Sequence, residues 1–178
     1  MSNLGRPMTR ASSSRAPQPR GFRLGLLVAS VTQPFNVGTI VQSAAAFGVE
    51  QIWFSGNASL PDHPNALRAA AGADRLVSWQ HAGTAAEAAV AVRKAGFKLI
   101  ALELASNSIP IYDMVLEGDI CLVIGAEDHG CPPALLAAAD GAIYIPQVGR
   151  VGSLNVAVAT AIALAEIAFH RHESASSR

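Results

Sequence analysis

The chain has 178 residues, of which 51% are hydrophobic and 15% charged, and its 13 basic and 13 acidic side chains cancel to a formal net charge of zero. That length suits one domain with an ample core. No apolar run is long enough to cross a bilayer, no apolar signal core stands near residue 1, and two cysteines do not make a disulfide framework, so a soluble, cytoplasmic protein with reduced thiols is expected.

Neutrality hides an asymmetry. Arg6, Arg10, Arg15, Arg20 and Arg23 put +5 into residues 1–23 with no acid among them, leaving −5 for the remainder. The same segment is rich in Ser, Pro and Gly and offers little to bury, so it reads as a disordered tail. Either it gathers a polyanion such as RNA through phosphate contacts, or it has no task.

From Leu24 to Ser30 the chain reads as a buried strand, followed by a polar turn through Pro34 and Asn36 and a helix over Thr39 to Phe47 that Gly48 stops. Val49 to Phe54 is a second strand. An irregular connection then runs from Ser55 to Ala73, with a short strand at Leu76 to Trp79 beyond it; loops of that length are usually functional. Thr84 to Ala95 reads as a helix, Lys98 to Leu104 and Asp119 to Ile124 as strands, Pro132 to Ala139 as a short helix, and Ala142 to Ile145 as a strand. The last helix starts at Leu154. Val158, Ile162, Ala165 and Phe169 recur on it at helical spacing, while the other side is mostly Ala, Val and Thr160. Such a helix should be covered on nearly all sides, as core or as a subunit interface. Residues 171–178 read as a frayed end.

Strands alternating with helices imply a mostly parallel sheet with helices on both faces. Ligands of such sheets collect beyond the carboxyl ends of the strands, here Ser30, Glu103 to Leu104, Gly125 to Glu127, and Ile145 to Pro146. Neither GxGxxG nor GxxxxGK[ST] is present, which argues against a dinucleotide or nucleotide-hydrolase site and against a small-molecule enzyme of that kind. Glycine turns cluster late instead, at Gly125, Gly130, Gly149 and Gly152, so the pocket is expected in the C-terminal half. Asp128, His129 and Cys131 are too few for a zinc site, and His129 beside Asp128 reads as a solvated residue rather than a base.

Three segments stand in order: NVGTIVQSAAAFG (Asn36 to Gly48), LVIGAEDHGCPPALLAAAD (Leu122 to Asp140) and IYIPQVGRVGSLNVAVATAIALAE (Ile143 to Glu166), with RAAAGA at Arg68 to Ala73 between the first two. Together they resemble the SpoU, or TrmH-like, branch of the SPOUT RNA methyltransferases across residues 24–170. The resemblance implies an α/β sheet whose C-terminal part is threaded as a deep trefoil knot, a topology rare among proteins. It also implies a homodimer packed through the first and last helices, and S-adenosylmethionine as cofactor, with no metal.

By the same resemblance the adenine would be held around Leu102, Gly125, Ile145 and Leu154, with Ser153 on the cofactor side of the loop. Asn36 would orient the reacting ribose, or else cap the helix that follows. Gly38 would admit RNA or partner backbone, or be an ordinary first-turn glycine. Glu127 would bind Asn36 or Arg150 and shape the pocket, or be a solvated loop acid. Arg150 would contact phosphate or the partner's site, or be a surface arginine. Ser153 and Asn155 would hold the loop and the ribose, or cap the last helix. Arg23, Gln42 and Arg68 are the candidate RNA contacts. Gln42 departs from the family pattern, which has an arginine there, and Gln can only hydrogen-bond. The expected activity is therefore methylation of the ribose 2′-oxygen in tRNA or rRNA, with a non-catalytic cofactor- and RNA-binding module as the alternative that Gln42 motivates.

Overall fold

The fold comes from a computed structural model that describes residues 22–115 and 117–176. Its centre is a seven-stranded sheet in the order β3-β2-β1-β6-β4-β7-β5, and every pairing is parallel. The strands are β1 (Leu24–Ala29), β2 (Gln51–Ser55), β3 (Ser78–His81), β4 (Lys98–Leu102), β5 (Ile109–Pro110), β6 (Ile120–Ile124) and β7 (Gly141–Tyr144). Five α-helices cover it: α1 (Pro34–Ala46), α2 (Pro64–Ala70), α3 (Ala85–Lys94), α4 (Pro133–Ala138) and α5 (Val156–Ser176).

Strands β1 and β6 are buried at every position because both faces are covered. Leu24, Leu26 and Val28 of β1 pack with Val37, Ile40 and Val41 of α1 and with Ala163, Leu164 and Ile167 of α5. Leu27 and Ala29 point the other way, as strand alternation requires, and join Trp53, Cys121 and Leu135 beneath α3 and α4. The mostly parallel architecture read from the sequence is therefore present.

Several boundaries differ from that reading. Helix α1 begins at Pro34, because proline at the first helical position has no N–H to waste and its φ is already helical. The connection after β2 contains α2, whose N-cap is His63, with Nδ1 accepting from Asn65 N at 3.2 Å, and whose end is Ala71 at φ 51°. Strand β3 lies two residues later than Leu76 to Trp79, on an edge that is mostly exposed. The two-residue β5 is too short to carry a pattern. The segment read as a tail ends sooner than Arg23: Phe22 already packs against the core and Arg23 pairs with Asp119 at 2.8 Å, while residues 1–21 lie outside the described part. Helix α5 continues through the expected frayed end as far as Ser176.

Within one chain, helix α5 is buried along one face. Val156, Ala157, Thr160, Ala163, Leu164 and Ile167 are buried, and Thr160 Oγ1 donates to Val156 O at 2.6 Å, which satisfies its buried hydroxyl. Of the stripe Val158, Ile162, Ala165 and Phe169, Val158 is 48% and Phe169 59% exposed, and Ile162 and Ala165 are partly buried. One chain does not cover this helix on all sides.

Candidate active site

The functional end of the sheet is built from the carboxyl ends of β4, β6 and β7 and the start of α5. A cavity of about 430 Å³ opens between the residues after β4, the segment after β7, and Gly152 to Leu154. A second, of about 220 Å³, adjoins it at the turn after β6 and shares Leu102, Glu103, Ser153 and Leu154 with the first. Leu102, Ile145, Ser153 and Leu154 line the larger cavity; Gly125 lines the smaller. The five residues expected around the cofactor line one or other of these two neighbouring cavities. Gly125 is required there: a Cβ would overlap the carbonyl of Gly130 and Cys131 N, where the turn closes through paired Ala126 and Gly130 backbone bonds.

At Glu127, which lines the smaller cavity, three side chains meet from distant parts of the chain. Asn36 Nδ2 donates to Glu127 Oε1, and Asn155 Nδ2 donates to Asn36 Oδ1 at 3.1 Å. Asn155 Oδ1 in turn accepts from Ala157 N at 2.9 Å and Val158 N at 3.3 Å, capping α5. Asn155 therefore caps and connects at once. Asn36 does not cap α1: it lies inside the first turn, Gln33 holds the cap position, and the amide is spent on Glu127 and Asn155. All donors in the chain of amides point toward Glu127, leaving its carboxylate as the electron-rich end.

Other expected positions fall elsewhere. Arg150 is exposed in the segment after β7 and makes no ion pair or hydrogen bond among the described residues; Ser153, also exposed, lines both cavities. Gln42 lies on the exposed side of α1 outside the amide network, and Arg68 is exposed on α2. Gly38 admits neither RNA nor a partner, because a Cβ there would overlap Ala66 O and Ala69 Cβ of the chain's own α2. Arg23 is at the opposite end of β1 from the cavities, bonded to Asp119 and to Ala95 O at 3.0 Å and stacked 4.5 Å over the Phe97 ring, a structural role. His129 and Asp128 pair at 3.1 Å and are both well exposed, whereas Cys131 is buried and its thiol is pushed up to about 12 by burial and by the nearby Glu103 charge.

A family model for the SpoU rRNA methylases matches residues 23–165. The chain belongs to that family. SpoU relatives include the 23S rRNA (guanosine-2′-O-)-methyltransferase RlmB of Acinetobacter baylyi, 32% identical over 79% of this chain and 57% of the relative. The tRNA (guanosine(18)-2′-O)-methyltransferase of Escherichia coli K12 is 31% identical over 80% and 62%. A crystal structure of an AdoMet-bound rRNA methyltransferase from Sinorhizobium meliloti superimposes with a TM-score of 0.78 at 29% identity, covering 85% of this chain and 57% of that one. The chain spans less than two thirds of the length of each of these SpoU proteins.

One residue of the site was not singled out from the sequence. Glu103 directly follows β4 and lines both cavities, and its two oxygens accept from Cys131 N at 2.9 Å and Leu104 N at 3.1 Å. Its signal was an acid at the carboxyl end of an apolar strand, the edge where ligands gather.

Proposed function

We propose that this SpoU-family chain is an S-adenosylmethionine-dependent methyltransferase acting on the ribose 2′-hydroxyl of tRNA or rRNA, in the cytoplasm, as a homodimer. The observation that carries this reading is the Glu127–Asn36–Asn155 network, whose Glu127 lines the smaller cavity that shares Leu102, Glu103, Ser153 and Leu154 with the larger one. The larger cavity suits the cofactor. A space of about 430 Å³ lies within the usual range for small-molecule sites. Leu102, Ile145 and Leu154 offer apolar walls to an adenine, glycine-rich backbone offers polar contacts without crowding, and Glu103 offers a carboxylate to a cation.

When bound, S-adenosylmethionine supplies an electrophilic methyl group; the chain must bring a ribose oxygen in line and give its proton a destination. Asn36, fixed at both ends of its amide, and Asn155, fixed by capping α5, have their orientation set in advance. Both can hold a ribose without rearranging. Glu127 is the one carboxylate in that network and can accept the proton directly or through water. Arg150 and Arg68, exposed and without partners among the described residues, are free to meet phosphates. The arginine-rich residues 1–21 would add sequence-independent attraction. Gln42 cannot serve as a cation, which favours the non-catalytic module as the second reading; the retained amide network weighs against it.

The C-terminal segment between β7 and α5 would be threaded as the trefoil knot. The dimer would bury the outward stripe of α5, Val158, Ile162 and Phe169, together with Phe35 of α1, 54% exposed. Val158→Glu with Phe169→Glu would then shift the protein to monomer in sedimentation, whereas an unchanged mass would remove this dimer.

Incubating the chain with S-adenosylmethionine and unmodified tRNA or rRNA, followed by nucleoside analysis, tests the activity. A 2′-O-methylnucleoside is expected. Binding of donor and RNA without product would establish the module instead.

A further inference from the structure

We infer that Glu103 makes this pocket prefer a sulfonium ligand to its neutral thioether product, so that S-adenosylmethionine binds more tightly than S-adenosylhomocysteine. The inference rests on the cofactor reading above and adds a residue that discriminates substrate from product.

Glu103 is the only carboxylate that lines the larger cavity, and no Lys or Arg lines it among the described residues. It has no cation within ion-pair distance among those residues either. Its position is nevertheless fixed. The backbone N–H groups of Cys131 and Leu104 each hold one oxygen, and the carboxylate sits against Gly130, where an added Cβ would collide with Oε2. A carboxylate has about four acceptor sites, so two N–H bonds leave others free toward the cavity. The neighbouring Cys131 thiol is raised first by burial and then by the Glu103 charge. A pinned, unpaired acid in a ligand cavity is an incomplete ion pair, and half-burial keeps its attraction from being fully screened.

Methyl transfer removes the charge that this acid would attract. The methyl leaves sulfur for the ribose oxygen, the S–CH₃ bonding pair stays on sulfur, and the hydroxyl proton departs to a base or to water. The sulfonium thereby becomes a neutral thioether. The ammonium, carboxylate and adenosine are common to both ligands, so their contributions cancel in a comparison. What remains is the interaction of Glu103 with one positive charge, present before the reaction and absent after it.

Calorimetric titration of the full chain with each ligand tests this. The native protein should favour S-adenosylmethionine, and E103Q should weaken that ligand about three- to tenfold more than S-adenosylhomocysteine. E103D, which keeps the charge, should retain the native preference. Equal affinities in the native chain, or a ratio unaltered in E103Q, would overturn the inference. If E103Q does not fold, a salt series on the native protein decides: the preference should shrink as ionic strength rises, and a salt-independent preference would overturn it. A native chain that binds neither ligand would count against the cofactor pocket itself, not against Glu103 alone.

Discussion

The two edges of the sheet treat their acids differently. At the amino edge, Asp119 accepts from Arg23 N at 2.6 Å and pairs with its guanidinium; Asp140 accepts from Leu99 N at 2.8 Å and pairs with Arg93 at 3.1 Å; and both arginines also bond main-chain carbonyls. At the carboxyl edge, Glu103 and Glu127 take only uncharged N–H donors, and neither has a cation among the described residues. Acids that serve stability are neutralised by the chain's own cations. Those that face the cavity are held in place but left with charge to offer, which is what a binding site requires.

That contrast can be broken from either side. The largest effect is expected for Asn36→Ala, which cuts the amide chain at its middle: methyl transfer should fall on the order of 100-fold, because small misplacements at a reacting centre have that size. Full activity in the variant would remove the network from the mechanism. Asn155→Ala should show a similar loss of rate and, in denaturant melts, about 1 kcal/mol of destabilisation from the missing cap. At the other edge, Asp119→Ala should cost about 1–2 kcal/mol of stability by removing the carboxylate that accepts from Arg23 N and its guanidinium, with kcat unchanged in the variant that remains folded. A loss of activity without a loss of stability would invert the assignment of the two edges.

The smallest expected effect is the pH dependence of stability. Burial raises both thiols, Cys121 well above and Cys131 to about 12 from an ordinary value of 9.0. The folded chain thus keeps protons that the unfolded chain releases, so this contribution is complete below pH 9 and is lost as pH climbs from there toward 12. Cys131→Ala should flatten part of the fall in chemical-denaturation midpoint over that window, and an unaltered slope would show that the thiol does not titrate with unfolding.

Much of the fold was legible because its signals are local. Continuous apolar runs marked β1 and β6, and the helix read from Thr84 is α3, whose start the structure closes with a capping box between Thr84 and Glu87. The start of α1 was hidden since Thr32 to Asn36 has turn composition, although Pro34 suits a first helical turn equally well. Helix α2 has an unusual His63 cap and only seven residues. The inward face of α5 could not be chosen from a helix apolar on every side; packing against α1 made the choice. The site was less legible still. Asn36 lies 91 residues from Glu127 and 119 from Asn155, so no spacing rule joins them, and the family resemblance rather than periodicity brought them forward. Glu103 carried only its place at a strand end.

The central claim is that the carboxyl edge of this sheet clasps a methyl donor beside the amide network. A crystal structure of the full chain with S-adenosylmethionine tests it most directly. The account predicts the donor between Leu102, Gly125, Ile145 and Leu154, with its methyl group turned toward Asn36 and Asn155. A donor bound at another edge of the sheet, with that space left to solvent, would contradict it.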